Sequence, residues 1–202
     1  GIASDWSFAY DQCKTEYVTL THQDDVYAPT YTQSCLERFS ACAEAQELII
    51  FTGYNELIDH KIRDSSFHLL IKDILLMPFL LKQKIYSHIM KRLLLSFGNP
   101  IPCPTVTYHK AVIGKFEFFN QFRCNMDWDA WLRLANKKGA FVYIKSKLVH
   151  HRIHKDTQTS CRIQDSVRHK EDRIIFTRLW PKPIAIFFAK VYSLATKFNE
   201  PK

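Results

Sequence analysis

Three short stretches of the chain carry residue types whose spacing suits chemistry. The first is His22-Gln23-Asp24-Asp25. Two adjacent carboxylates at the end of an apolar strand repel each other and are costly to desolvate unless a cation or a donor offsets them. A divalent ion bridging Asp25 to a diphosphate would do so, since hard oxygen ligands suit Mg²⁺ and Mn²⁺. On spacing alone, an acidic turn capping the helix after Pro29 explains the pair more simply. The second stretch is Asn125-Met126-Asp127-Trp128-Asp129. Asp127 falls at or near a helix N-terminus, where exposed amides favour a carboxylate. Capping accounts for that placement, and a general base would further need hydrogen-bond reach to an acceptor hydroxyl. Asp129 points elsewhere.

The third stretch is His150-His151-Arg152-Ile153-His154. Strand alternation puts His150, Arg152 and His154 on one face and His151 on the other. A neutral imidazole from this run can complete a metal site, and Arg152 can pair with phosphate. A solvated basic strand edge is the plainer reading.

The elements that must position these residues alternate in type. Residues 4–14 read as a helix capped by Ser4 or Asp5, and residues 17–21 as a strand running into the Asp pair. A helix over 30–45 follows Pro29. The almost continuous apolar run at 47–54 fits a strand covered on both faces. Strand, helix, strand in this order is the pattern of an α/β sheet. Residues 59–65 read as an exposed loop, and 67–97 as helix broken in two by Pro78. A strand at 105–109 precedes a helix at 127–137, closed by Gly139. Strands at 141–144 and 148–153 follow. Helices at 162–179 and 184–198 complete the chain.

Composition narrows the function classes. With 202 residues and 47% hydrophobic content, the chain can bury one sizeable core. Five glycines, and no G-x-x-x-x-G-K or G-x-G-x-x-G pattern, argue against a glycine-rich phosphate loop. A formal charge of +8 suits an anionic partner such as a diphosphate or an anionic membrane surface. Nucleic acid is disfavoured, because no recognised binding module occurs. The six cysteines are scattered without a C-x-x-C pair, which reads as reduced, mostly buried thiols rather than a zinc site or disulfide framework. The longest apolar run, residues 74–81, is well short of the roughly 20 residues a spanning helix needs. The expected location is cytoplasmic; the apolar and lysine-bearing residues 184–202 could lie on an anionic inner membrane face, though packing against the domain is the plainer reading.

Taken in order, KTEYVTLTHQDDVYAP (residues 14–29), MDWDAWLRLANKKG (126–139) and HHRIHKDTQTS (150–160) resemble the family-2 glycosyltransferases of bacterial polysaccharide and cell-surface glycan synthesis. The resemblance implies a GT-A-like α/β fold, a mixed sheet flanked by helices, over residues 1–160, with 161–202 a C-terminal helical extension packed on it. It implies a metal-dependent, inverting transfer of a sugar from a nucleotide-diphosphate donor to a glycan or lipid-linked acceptor. In those terms Asp24 and Asp25 hold the metal and the sugar diphosphate, Asp25 being the direct ligand. Asp127 is the catalytic base, Arg152 contacts the diphosphate, and His154 is a further metal contact. Thr105, Thr107 and residues 99–104 lie on the acceptor side. His22 stands where many members carry the first aspartate. By the same comparison, base-binding strands of roughly 50 to 90 residues would precede Gly1-Ile2. Without them the chain reads as a fragment, a misassigned gene start, or a non-catalytic binding module, which is the alternative to an enzyme.

Overall fold

The computed structural model describes residues 1–40, 46–153 and 158–197. They form an α/β fold around a mixed, open, seven-stranded sheet. The strands are β1 (Tyr17–Thr19), β2 (Val26–Tyr27), β3 (Glu47–Ile58), β4 (Lys61–Arg63), β5 (Lys84–Ile85), β6 (Val106–His109) and β7 (Ala140–Arg152). The main order is β1-β6-β3-β7-β2, with β4 paired to β3 and β5 to β7. β3 and β7 are the parallel pair, and the remaining ladders are antiparallel.

β3 is central because its side chains are apolar on both faces, and Leu48, Ile49, Ile50 and Phe51 are all fully buried. It runs past the expected end at residue 54 and turns at Asp59 and His60, both with positive φ. The expected loop at 59–65 therefore contains β4, closing a hairpin on β3. The two strands expected at 141–144 and 148–153 are one, β7. The pairing slips opposite Gly53, where a Cβ would lie 2.7 Å from the Lys145 carbonyl oxygen. Glycine thus lets the irregular segment of β7 approach β3 without breaking the strand.

The helices are α1 (Ile2–Gln12), α2 (Tyr31–Ser40), α3 (Phe67–Leu75), α4 (Pro78–Leu81), α5 (His88–Leu94), α6 (Lys110–Ile113), α7 (Met126–Ala135), α8 (Gln158–Leu179) and α9 (Lys182–Lys197). α1 starts at Gly1 without a side-chain cap, so neither Ser4 nor Asp5 performs the capping expected of it. Pro78 opens α4 rather than merely dividing a long helix, since a proline at the first position forfeits no helical hydrogen bond. After α4 the chain dips onto the sheet as β5, which local sequence did not foretell. Lys84 Nζ donates to Glu47 Oε1 there at 3.2 Å.

α8 and α9 contribute Ile175, Phe176, Ala185 and Ala189 to the same core as the sheet and α7. Among the described residues, Cys13, Cys35, Cys103 and Cys124 carry free thiols, and Cys35 and Cys103 are buried. Cys42 and the side chain of Cys161 lie outside the described residues. No helix among the described residues is long and apolar enough to cross a membrane.

Candidate functional site

The two acidic stretches are held by different elements. Asp25 sits just before β2, and the register Val26↔His150 sets it against the end of β7. Its Oδ1 accepts from His151 Nδ1 at 2.8 Å and from the Arg152 amide at 3.0 Å. Its Oδ2 has no hydrogen-bond partner and lies 3.7 Å from His22 Nδ1. The carboxylate is fully covered. Burial alone would push its pKa up, but the His151 hydrogen bond and charge, the Arg152 amide and His22 outweigh it, and the net shift is down. Asp25 is therefore held as an anion. His22, stacked on Trp6 with ring centroids 5.1 Å apart, is shifted down, chiefly by burial.

Asp24 contributes its backbone here, its carbonyl accepting from Arg152 Nε at 2.9 Å. Arg152 thus clamps the turn that presents both aspartates. His154, expected as a further metal contact, lies outside the described residues. His151 takes the place against Asp25 that alternation had given to the opposite face. The antiparallel register supplies that information, and β2 is too short to be read locally.

Asp127 lies in the first turn of α7, whose N-cap residue is Asn125. Its Oδ1 accepts from the Trp128 amide at 2.7 Å and its Oδ2 from Asn99 Nδ2 at 2.9 Å. Burial raises its pKa, opposed by the Trp128 amide, by Lys72 and Arg168, and by Asn99. Lys72 sits 4.8 Å above the Tyr54 ring and is pushed down to about 8, chiefly by burial, with Asp127 and Glu56 pulling it back up. The cation is thus placed in the field of the acid. Asp129 faces away, in ion pairs with Arg133 at 2.9 Å and Arg178 at 2.7 Å.

Both indoles of α7 fasten it to the segment that carries Asn99. Trp128 Nε1 donates to the Leu95 carbonyl at 3.0 Å and Trp131 Nε1 to the Ile101 carbonyl at 2.9 Å. The loop before α7 is gathered by Glu171 of α8. Its carboxylate accepts from the amides of Arg123 at 2.7 Å, Cys124 at 2.9 Å and Asn125 at 3.0 Å. Asn125 Nδ2 in turn donates to Asp172 Oδ1 at 2.7 Å. Asp172, almost fully buried, is raised to about 6 mainly by desolvation.

Cys103 lies within electrostatic reach of both acidic centres. Its thiol is pushed well up by burial first, then by the charges of both Asp127 and Asp25. Tyr27, two residues beyond Asp25, donates from its hydroxyl to the Pro104 carbonyl at 2.7 Å. Thr107 is hydrogen-bonded to Thr19 at 2.8 Å and Tyr31 at 3.1 Å, while Thr105 bonds back to the Pro102 carbonyl at 2.8 Å. Thr107 thus joins β1, β6 and α2, and Thr105 closes the turn before β6.

A cavity of about 20 Å³ lies beside Lys72, lined also by Tyr54, Asp73 and Pro100. It has room for a water rather than a sugar. A larger open hollow of about 830 Å³ runs along α2 past Pro29, Gln33 and Glu37 and carries none of the candidate residues. Among the described residues, no group of three or more acidic, histidine or cysteine side chains is arranged to hold a metal. No protein-family model matches the chain, and no curated protein matches it at a significant level.

Proposed function

We propose that this chain is a metal-dependent glycosyltransferase of the GT-A type, moving a sugar from a nucleotide-diphosphate donor to a hydroxyl of a glycan or lipid-linked acceptor with inversion. The observation that carries the reading is the Asp24–Asp25 turn held against the end of β7 by His151 and Arg152, with Asp127 fixed at the start of α7 by Asn99 and the Trp128 amide. The environments of Asp25 and Asp127 push the two acids in opposite directions, as a division of labour between an ion-holding carboxylate and a proton-accepting one requires.

Asp25 fits a Mg²⁺ or Mn²⁺ role through Oδ2, a buried anionic oxygen without a hydrogen bond. Such ions are commonly held by one or two carboxylates plus phosphate oxygens, so a three-ligand protein cage is not needed. Asp24, on the same turn, is the second candidate ligand. When bound, the ion neutralises the charge that develops on the leaving diphosphate. Arg152, fixed on the Asp24 carbonyl, brings a guanidinium to that side.

Asp127 takes the proton of the acceptor hydroxyl as its oxygen bonds to the anomeric carbon and the bond to the diphosphate breaks. A raised pKa suits a base that must accept a proton near neutral pH. Asn99 holds Oδ2 and the Trp128 amide holds Oδ1, which fixes the carboxylate plane. Lys72 and Arg168 oppose the rise.

The test is release of nucleoside diphosphate from a panel of UDP- and GDP-sugars in the presence of Mn²⁺. Asp127→Asn keeps the planar shape, removes the base and turns an NH2 toward one of its two N–H donors, so its fold is checked by circular dichroism. Turnover should fall by about 10² to 10⁴ while donor binding persists. Unchanged turnover in Asp127→Asn would remove Asp127 from the reaction.

A second reading rests on the complete burial of the Asp25 carboxylate. In it, Asp25 is a clamp between the turn and β7, and the chain is a non-catalytic binding module. Metal-dependent nucleotide binding separates the two.

A further inference from the structure

α9 carries two faces of opposite duty. Ala185 and Ala189 are buried in the core, and Phe188 packs against Phe97 with ring centroids 5.4 Å apart. The other side exposes Ile184, Phe187, Val191 and Leu194. Their spacing of three, four and three residues makes one continuous apolar stripe along the helix. α3 packs beside α9. From α3 through α4, Leu70, Ile74, Met77 and Leu81 are also exposed, at spacings of four, three and four. Leu81 is 91% exposed and Phe187 61%, values far beyond those of a side chain that merely edges a core. Rows of exposed apolar side chains on two neighbouring elements mark a docking face rather than ordinary surface leucine.

Charge decides what docks there. α9 carries Lys182 and Lys190 and no acidic residue. Residues 67–97 contain a single acid, Asp73, and an exposed Lys82 adjoins Leu81. A second copy of the chain would set these lysines against their own equivalents, because a two-fold interface repeats the same patch on both sides. An anionic lipid surface meets the same lysines with the opposite charge, while its acyl boundary takes the apolar stripes.

We propose that the exposed stripes of α3–α4 and α9 form a peripheral docking face for an anionic bilayer. The face lies in the interface without crossing it, in keeping with the absence of a spanning helix among the described residues. α3 also carries Lys72 of the candidate site, but neither Leu81 nor Phe187 belongs to that site.

The experiment is co-sedimentation of the 202-residue chain with phosphatidylglycerol-containing vesicles and, in parallel, with pure phosphatidylcholine vesicles, at low and high salt. The chain should bind the anionic vesicles, bind the zwitterionic ones far less, and lose affinity as salt rises. The double variant Leu81→Ser with Phe187→Ser alters only exposed side chains, and its fold is checked by circular dichroism. It should bind the anionic vesicles about tenfold more weakly or worse, from the apolar area withdrawn. Several results overturn the proposal. One is a folded parent chain that ignores anionic vesicles. Others are equal binding to both vesicle types, or a folded double variant that binds like the parent. So is a dimer, seen by sedimentation velocity, that the same two substitutions dissociate.

Discussion

Glu171 offers the sharpest energetic test of how the candidate base is held. Its carboxylate receives the amides of Arg123, Cys124 and Asn125 at 2.7 to 3.0 Å, and the side chain is nearly fully buried. Asp127 follows two residues later. A backbone hydrogen bond to a charged acceptor contributes about 1.5 to 3 kcal/mol net, and orphaned buried amides cost more than the bond alone. The three bonds share one acceptor, and Arg123 is exposed, so water can reach one amide. Glu171→Ala should therefore cost about 3 to 5 kcal/mol, below a simple sum. Glu171→Gln keeps one acceptor oxygen but turns an amide group toward at least one N–H, and should cost about half as much. Urea unfolding followed by the fluorescence of the buried Trp128 and Trp131 reads both values. A cost below about 1 kcal/mol for Glu171→Ala, the size of an ordinary surface change, would refute the idea that this carboxylate organises the loop.

Two further predictions follow from the same region and from the sheet. Asp172, raised from 3.8 to about 6, is penalised when ionised. Because the folded-state pKa is the higher one, the penalty is absent below about pH 4, grows through the pH 4 to 6 window, and stays constant above it. Asp172→Asn should match the parent at pH 4 and exceed it at pH 7 by about 1 to 3 kcal/mol in unfolding free energy, whereas a loss of stability at pH 7 would contradict the shift. Gly139 has φ +127, and a Cβ there would lie 2.6 Å from the Gln46 carbonyl oxygen and 2.8 Å from Leu48 Cγ. Gly139→Ala should cost about 2 to 4 kcal/mol by thermal unfolding, and a neutral outcome would mean that β3 and the turn before β7 do not meet this closely.

Local pattern was enough for the elements whose own residues decide them. The doubly covered β3, the Trp-rich α7 and the paired C-terminal helices are all legible from apolar spacing. Elements made by pairing alone were not. β2 and β5 are two residues each and exist because β7 offers them a ladder. β4 depends on a turn through Asp59 and His60 that no glycine announces. Gly139 was expected to close α7, but that helix ends at Asn136 and Gly139 instead admits the close approach of residues 46 and 48.

The same division runs through the candidate site. Asp25, Asp127 and Arg152 stand out by type and by placement at strand and helix ends, and the fold sets Arg152 on the Asp24–Asp25 turn. His151 was passed over because alternation counts faces and ignores register. Residues 99–104 were expected on the acceptor side, but the bond of Asn99 to Asp127, like the approach of Lys72 and the hold of Glu171 on the loop before it, comes from distant segments that only the tertiary arrangement brings together.

The decisive measurement is calorimetric titration of the chain with UDP and with GDP, each with and without Mn²⁺, beside Asp25→Ala. Metal-dependent binding of one nucleotide, lost in Asp25→Ala while circular dichroism stays native, is the expected result and places the donor diphosphate at the Asp24–Asp25 turn. Binding that ignores Mn²⁺, or that survives in Asp25→Ala, contradicts a metal-held donor there. No binding at all by the folded chain leaves Asp25 as the clamp between β2 and β7, and the transferase reading falls.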